Sequence, residues 1–201
     1  MATEVEICNM ALDLIGANRI TSLADNTLQG RICAANYPLL RDAVLTAYPW
    51  RFAIRRVSLT ALVSTPIYGW GKEYQLPTGP NPLKCLLVLD TAQDATTADK
   101  EWTIEGTKLV ADYSSPLLIR YIGQVTNTQE FDSLFVIALS ARLAVHLSAN
   151  ITESAGRIDQ ARSLYQETIA EARATNGTLG KSGILRSIDL LSSRGEGFPI
   201  G

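Results

Sequence analysis

The sequence predicts an α+β fold: an antiparallel helical bundle with an inserted small antiparallel β domain and a flexible C-terminal tail. Apolar residues recur at helical spacing near both ends of the chain. Four of the eight prolines fall between positions 66 and 82, which excludes a long helix there. We therefore predict the bundle at residues 1–56 and 127–177, the β domain at 57–126 and the tail at 178–201, where five glycines occur.

The first two helices are predicted from their end signals. Thr3 and Glu6 have the spacing of a capping box, and Gly16 is a typical helix stop. The second helix should begin after a cap at one of residues 25–27 and end near Pro49. Pro38 lies inside its apolar pattern, so we expect it to kink or divide the helix.

The middle block has the alternation and turn residues of short strands. The sequence Glu105-Gly106-Thr107 favours a hairpin turn between two of them. The predicted strands are residues 67–76, 84–89, 101–104, 108–111 and 117–121. Together they suggest one small antiparallel sheet.

Two further helices are predicted after the strands. A wide apolar stripe over residues 131–147 indicates the first, capped by Asn127, Thr128 or Asp132. After a break near 150–152, a second stripe continues to Asn176-Gly177, where we expect the helix to stop.

Composition excludes several classes of protein. The chain has 201 residues, 46% of them hydrophobic and 19% charged, which excludes a disordered protein. Its net charge of -2 gives little support to free nucleic-acid binding. The N-terminus is acidic and no apolar run approaches ~18 residues, so we predict neither a signal peptide nor a membrane span. Three separated cysteines cannot form a disulfide scaffold. Cys8 and Cys33 fall on apolar helix faces, which indicates small core residues in a reducing compartment.

Residues with catalytic potential are sparse. His146 is the only histidine, which excludes a metal site built on several imidazoles. Cys33 and His146 are conceivable as a nucleophile pair, although the apolar surroundings of Cys33 favour burial. Glu73, Glu101 and Glu105 are acidic residues of the β block, and paired carboxylates occur in wall hydrolases. A peptidoglycan-degrading tail enzyme is therefore an alternative function, and a general α+β interaction module is another.

An aromatic and arginine cluster is the most distinctive local feature. Residues 48–56 read YPWRFAIRR. Arginine stacks on aromatic rings and binds carboxylates, so the cluster has two interpretations. It is either the core of a domain junction with solvated arginine heads, or a subunit interface formed by Trp50, Arg51, Arg55 and Arg56.

The N-terminal third resembles a known family. The matching positions are residues 6–12 (EICNMAL), 15–16 (IG), 20–23 (ITSL), Tyr37, Arg41, Asp42, Leu45 and 48–53 (YPWRFA). This combination is similar to the tail tubular protein A family of short-tailed bacteriophages, also called head-to-tail adaptors or gatekeepers. The resemblance is strongest over residues 4–56 and extends more loosely through the strands and the later helices.

The resemblance implies a structural virion protein rather than an enzyme. Such a protein is assembled in the host cytoplasm and forms a ring, typically of twelve subunits, between the portal protein and the tail nozzle protein. The ring extends the DNA channel, so DNA passes through its lumen without sequence-specific binding. It requires no cofactor or metal and contacts no membrane, although some relatives are associated with wall-degrading activity.

The C-terminal tail is the predicted portal-binding segment. It combines flexible flanks with an amphipathic stretch, and such a segment can fold on binding. The residues expected to contact the portal are Ile184, Leu185, Ile188, Leu190, Leu191 and Phe198.

Overall fold

The α+β fold is confirmed by the structure, a computed structural model that describes residues 2–89, 101–151 and 154–179. Helices lie at both ends of the described chain, with strands between them. The elements are α1 (Glu4–Ile15), α2 (Leu28–Ala47), β1 (Ile54–Leu59), β2 (Lys72–Gln75), β3 (Pro82–Leu89), β4 (Trp102–Glu105), β5 (Lys108–Ala111), β6 (Leu117–Gly123), α3 (Ser133–Ile151) and α4 (Ala155–Leu179). The division into separate domains stays a prediction.

The helix starts follow the predicted capping residues. The Thr3 hydroxyl accepts a hydrogen bond from the Glu6 amide at 3.2 Å, and the Glu6 carboxylate accepts one from the Thr3 amide at 2.7 Å. Thr27 caps α2. Asp132 caps α3, because its carboxylate accepts a hydrogen bond from the Phe135 amide at 2.7 Å. These side chains satisfy amide groups that the first turn of a helix leaves unpaired.

Pro38 does not divide α2, and the predicted helix stop at Asn176-Gly177 is wrong. Helix α2 runs undivided through Pro38, and α4 continues through Asn176 and Gly177 to Leu179. In α2, buried residues on both sides of Pro38 hold the helix against the core, which offsets the hydrogen bond that proline cannot make. In α4, the unfavourable helix propensities of Asn and Gly are only roughly 1 kcal/mol each, which helix continuity can override.

The single five-stranded sheet is also corrected. The structure has two three-stranded antiparallel sheets in its described residues, with strand orders β1-β6-β3 and β2-β5-β4. The unpredicted strand is β1, whose first residues belonged to the predicted helical block. The predicted turn is confirmed, since Glu105 pairs with Lys108 and Gly106 has a φ of 60°.

Strand β6 contacts two different cores. The first core fills the space between the two sheets and includes Leu117, Ile119 and Tyr121 of β6. The second lies among the helices and includes Ile122. Because side chains alternate along a strand, Leu118 and Arg120 lie on the same side as Ile122, away from the partner sheet. The outer side of the β1-β6-β3 sheet therefore carries both apolar and charged side chains.

The helices pack mainly on α3, which contacts α1, α2 and α4. None of the helices within the described ranges combines the length and apolarity that crossing a membrane requires.

Candidate interaction surfaces

Trp50 is a core residue, which corrects its predicted place in a subunit interface. Its side chain has no exposed surface, and its indole Nε1 donates a hydrogen bond to the Val44 carbonyl at 2.9 Å. The indole also meets the Phe135 ring edge-on, with centroids 5.2 Å apart. A side chain without exposed surface cannot contact another subunit. Trp50 instead joins the end of α2 to α3 within the helical core.

The three arginines after Trp50 have separate environments. Arg51 is exposed. Arg55 is held internally: its guanidinium donates to the Phe52 carbonyl at 2.6 Å and forms an ion pair with Glu130 at 3.2 Å. Arg56 is exposed on the outer side of the β1-β6-β3 sheet. The structure therefore does not gather them into one cluster, and their role between subunits stays a prediction.

Arg56 has a second arginine beside it that sequence reasoning missed. In the antiparallel register, Arg56 lies directly opposite Arg120 of β6, and Leu87 of β3 lies on the other side of Arg120. These residues line a groove of about 460 Å³, here called the arginine groove. Its full lining is Arg56, Val57, Ser58, Leu87, Leu89, Leu118, Ile119 and Arg120. The available signal was a lone arginine inside the otherwise apolar run 117–122.

An apolar loop lies between β1 and β2. Val63 and Ile67 are essentially fully exposed, and Tyr68 is 87% exposed. Single exposed apolar residues are common on protein surfaces, but a cluster on one loop is typical of an interaction site. We call these three residues the apolar loop.

The three acidic residues of the alternative enzyme have different environments. Glu73 is buried, and its carboxylate accepts hydrogen bonds from the Ser64 hydroxyl and from Lys108 Nζ, the latter at 2.8 Å. Both hydrogen bonds lower the pKa of Glu73, and the one from Lys108 has the larger effect. Glu105 borders the same cavity, whereas Glu101 borders another. A lowered pKa does not suit the general acid of a glycosidase, which needs a raised one, and the contacts of Glu73 are those of a structural ion pair.

Cys33 and His146 are not a nucleophile pair. Cys33 is fully buried, and its hydrogen-bonding partner is the buried Cys8. That hydrogen bond and burial both raise the pKa of the Cys8 thiol. His146 is exposed on α3. Across the described residues, no group of three or more His, Cys, Asp and Glu side chains is arranged to hold a metal ion.

Asn9 and Asp42, two of the residues in the N-terminal sequence pattern, have clear structural roles. The side-chain amide of Asn9 makes two hydrogen bonds with the backbone of Ile20. Its Oδ1 accepts one from the Ile20 N–H at 2.8 Å, and its Nδ2 donates one to the Ile20 carbonyl at 2.9 Å. It therefore holds the loop after α1 against the helix. Asp42 binds the buried Arg41 at 2.9 Å and accepts a hydrogen bond from Gln124 at 2.6 Å, which joins α2 to the end of β6.

The predicted portal-binding residues Ile184, Leu185, Ile188, Leu190, Leu191 and Phe198 lie outside the described residues. A scan against models of known protein families finds no match to this chain, and a search of curated proteins finds none.

Proposed function

We propose that the chain is a structural virion protein, a tail adaptor that forms a ring between the portal and the tail nozzle and extends the DNA channel. The ring would contain twelve subunits in the virion, and DNA would pass through its lumen without sequence-specific binding. The resemblance of residues 4–56 to tail tubular protein A supports this proposal. The structural observation that carries it is the apolar loop.

The apolar loop is what an assembly component requires. Val63, Ile67 and Tyr68 leave their side chains in water, although the same chain fully buries residues such as Leu109 and Leu117. Covering one large apolar side chain contributes roughly 1.5–3 kcal/mol. Three such side chains on one loop would therefore contribute substantially to a contact with a partner ring.

The geometry favours the alternative of a wall-degrading enzyme less, although Glu73 and Glu105 border one cavity. The buried carboxylate of the β region, Glu73, is already bound by Lys108 and Ser64. Glu101 and Glu105 are exposed and border different cavities.

The test is the mass of the purified chain, alone and mixed with the portal ring of the same phage, measured by light scattering. We expect mixing to give a complex heavier than the portal ring by several copies of the chain. A chain truncated after Leu179, where α4 ends, should fold but fail to join the portal. Failure of the full chain to associate would contradict the proposal, and hydrolysis of peptidoglycan in a zymogram would favour the enzyme.

A second variant tests the apolar loop. Replacing Val63, Ile67 and Tyr68 with serine should prevent the chain from completing the portal–adaptor–nozzle assembly without lowering its thermal stability. Leu39→Ser is the matched control, because Leu39 is 70% exposed on α2, outside the loop. If the loop variant assembled as well as the control, the loop would not be a contact surface.

A further inference from the structure

The arginine groove brings two like charges together on neighbouring strands. Arg56 and Arg120 are directly opposite in the antiparallel pairing of β1 with β6. Side chains at such positions have Cβ atoms roughly 4.5–5.5 Å apart, and like charges there destabilise a sheet. An anionic group bound between the two arginines would therefore stabilise this arrangement.

The described part of the chain supplies no counter-charge. Neither guanidinium forms an ion pair with another described residue, and Arg120 Nε is buried without a hydrogen-bond partner. By contrast, Arg55 is bound by Glu130, and the buried Arg41 is bound by Asp42. Buried polar groups in native proteins nearly always have partners, so an unpaired buried donor needs an explanation.

The remaining walls of the groove are apolar. Leu87, Leu89 and Leu118 are only partly buried and line it beside the two arginines. An occupant that matches this surface presents an anionic group between apolar side chains. A carboxylate fits the anionic position, because guanidinium and carboxylate form parallel charge-assisted hydrogen bonds.

We propose that the arginine groove binds an extended segment of a partner protein that carries an Asp or Glu side chain between large apolar residues. Nucleic acid fits less well, because its phosphates require a longer track of cations and its bases stack on aromatic rings. The groove has two arginines and no aromatic lining residue. The inference does not depend on the proposed function.

A second copy of the chain is the competing occupant, since Arg56 was a predicted subunit contact. The surfaces that the described residues offer match the groove poorly. The loop that exposes Val63, Ile67 and Tyr68 contains no acidic residue between positions 60 and 71. The exposed carboxylates Glu167 and Glu171 on α4 are flanked by small or polar residues rather than large apolar ones. At β4, the exposed Glu101 and Glu105 each have a large apolar neighbour on one side only, Trp102 and Ile104. A separate partner with large apolar residues on both sides of the acidic one therefore suits the groove better.

The test uses the full chain and two fluorescent peptides. One is Leu-Asp-Leu-Glu-Leu, and the matched control is Leu-Asn-Leu-Gln-Leu, which has nearly the same shape without charge. We expect anisotropy titrations to show at least tenfold tighter binding of the acidic peptide. Arg120→Gln and Arg56→Gln should each weaken that binding about tenfold, whereas Arg51→Gln, at an exposed arginine outside the groove, should not change it.

Thermal unfolding separates this proposal from a structural role for Arg120. Arg120 is unpaired and faces a like charge, so Arg120→Gln should leave Tm unchanged or raise it. A fall in Tm of several degrees would show that the arginine has a structural role, and would overturn the proposal. Equal affinity for both peptides would also overturn it. So would tighter binding of a ten-nucleotide oligo-dT strand, or self-association of the chain that Arg120→Gln abolishes.

Discussion

The contact between Gly16 and Arg157 gives the sharpest stability prediction. Gly16 ends α1 with a φ of 68°, in the left-handed region. Arg157 of α4 reaches across and donates a hydrogen bond from Nη1 to the Ile15 carbonyl at 2.7 Å. A Cβ on Gly16 would lie 1.5 Å from that same Nη1. Gly16→Ala must therefore both strain the backbone and displace Arg157.

The two effects can be assigned separate magnitudes. An L-residue in the left-handed region costs roughly 1–2 kcal/mol, and the stiffer unfolded chain of alanine offsets about 0.5 kcal/mol. Losing a charged hydrogen bond at a partly exposed site costs about 1.5 kcal/mol. Gly16→Ala should thus lower the free energy of unfolding by about 2–3 kcal/mol, and Arg157→Ala by about 1.5 kcal/mol.

The double variant distinguishes this reasoning from two independent defects. Once Arg157 is gone, alanine at position 16 has only the backbone strain to add. Gly16→Ala with Arg157→Ala should therefore be about as stable as Gly16→Ala alone, with a coupling of about 1.5 kcal/mol. Urea unfolding followed by circular dichroism measures it, since at about 2 kcal/mol/M the midpoint of Gly16→Ala should fall by about 1–1.5 M.

Gly156→Ala is the matched control. Gly156 lies in the first turn of α4 and does not have a positive φ, and a Cβ on it would meet no atom within 4 Å beyond its chain neighbours and its own helix backbone. Alanine there should raise stability by up to about 1 kcal/mol, because it favours the helix and restricts the unfolded chain. If the Gly16 and Arg157 effects add within about 0.5 kcal/mol, the displacement of Arg157 is refuted.

Three further predictions concern buried contacts. Trp50→Ala should lower the free energy of unfolding by about 3–5 kcal/mol in urea titrations, because it leaves a large cavity in the core. Asn9→Ala should cost about 2–4 kcal/mol in the same assay, since it removes both hydrogen bonds to the backbone of Ile20. Glu73→Gln should be less stable than the parent chain at neutral pH. Because Lys108 lowers the pKa of Glu73 in the folded chain, that difference should be present above the ordinary Glu value of 4.5 and shrink as the pH falls through the lower folded value. A stability difference that persists unchanged at pH 2 would contradict the ion-pair role.

Local signals predicted the helices well because their ends depend on neighbouring residues. The hydroxyl of Thr3 and the carboxylate of Glu6 act within three positions of each other, so the capping box is visible in the sequence. Strand β1 was missed because only pairing with β6, about 65 positions away, makes residues 54–59 extended. The Asp42–Gln124 contact has the same origin, since it joins positions 82 apart. Tertiary pairing of this kind leaves little trace in a local pattern.

The surfaces were harder to predict than the fold for the same reason. The sequence places Arg56 beside Arg51 and Arg55, which suggests one basic cluster. Side chains alternate along β1, so Arg55 and Arg56 lie on opposite sides of the strand, and Arg55 binds Glu130. The antiparallel register places Arg56 opposite Arg120 instead. One of the two interpretations of residues 48–56 placed Trp50 in a core, and its burial results from α3 packing over the end of α2.

The residues that carry the family resemblance and the residues exposed for binding are different sets. Asn9, Arg41 and Trp50 hold the fold from within, whereas Tyr68 of the apolar loop contributes little to it. The resemblance therefore supports the architecture more directly than the choice of partner. It follows that Asn9→Ala should destabilise the chain yet leave assembly intact below its lowered Tm, while Tyr68→Ser should do the reverse. Paired measurements of Tm and assembled mass on both variants test this separation, and a loss of both properties in either variant would show that fold and contact surface are not independent.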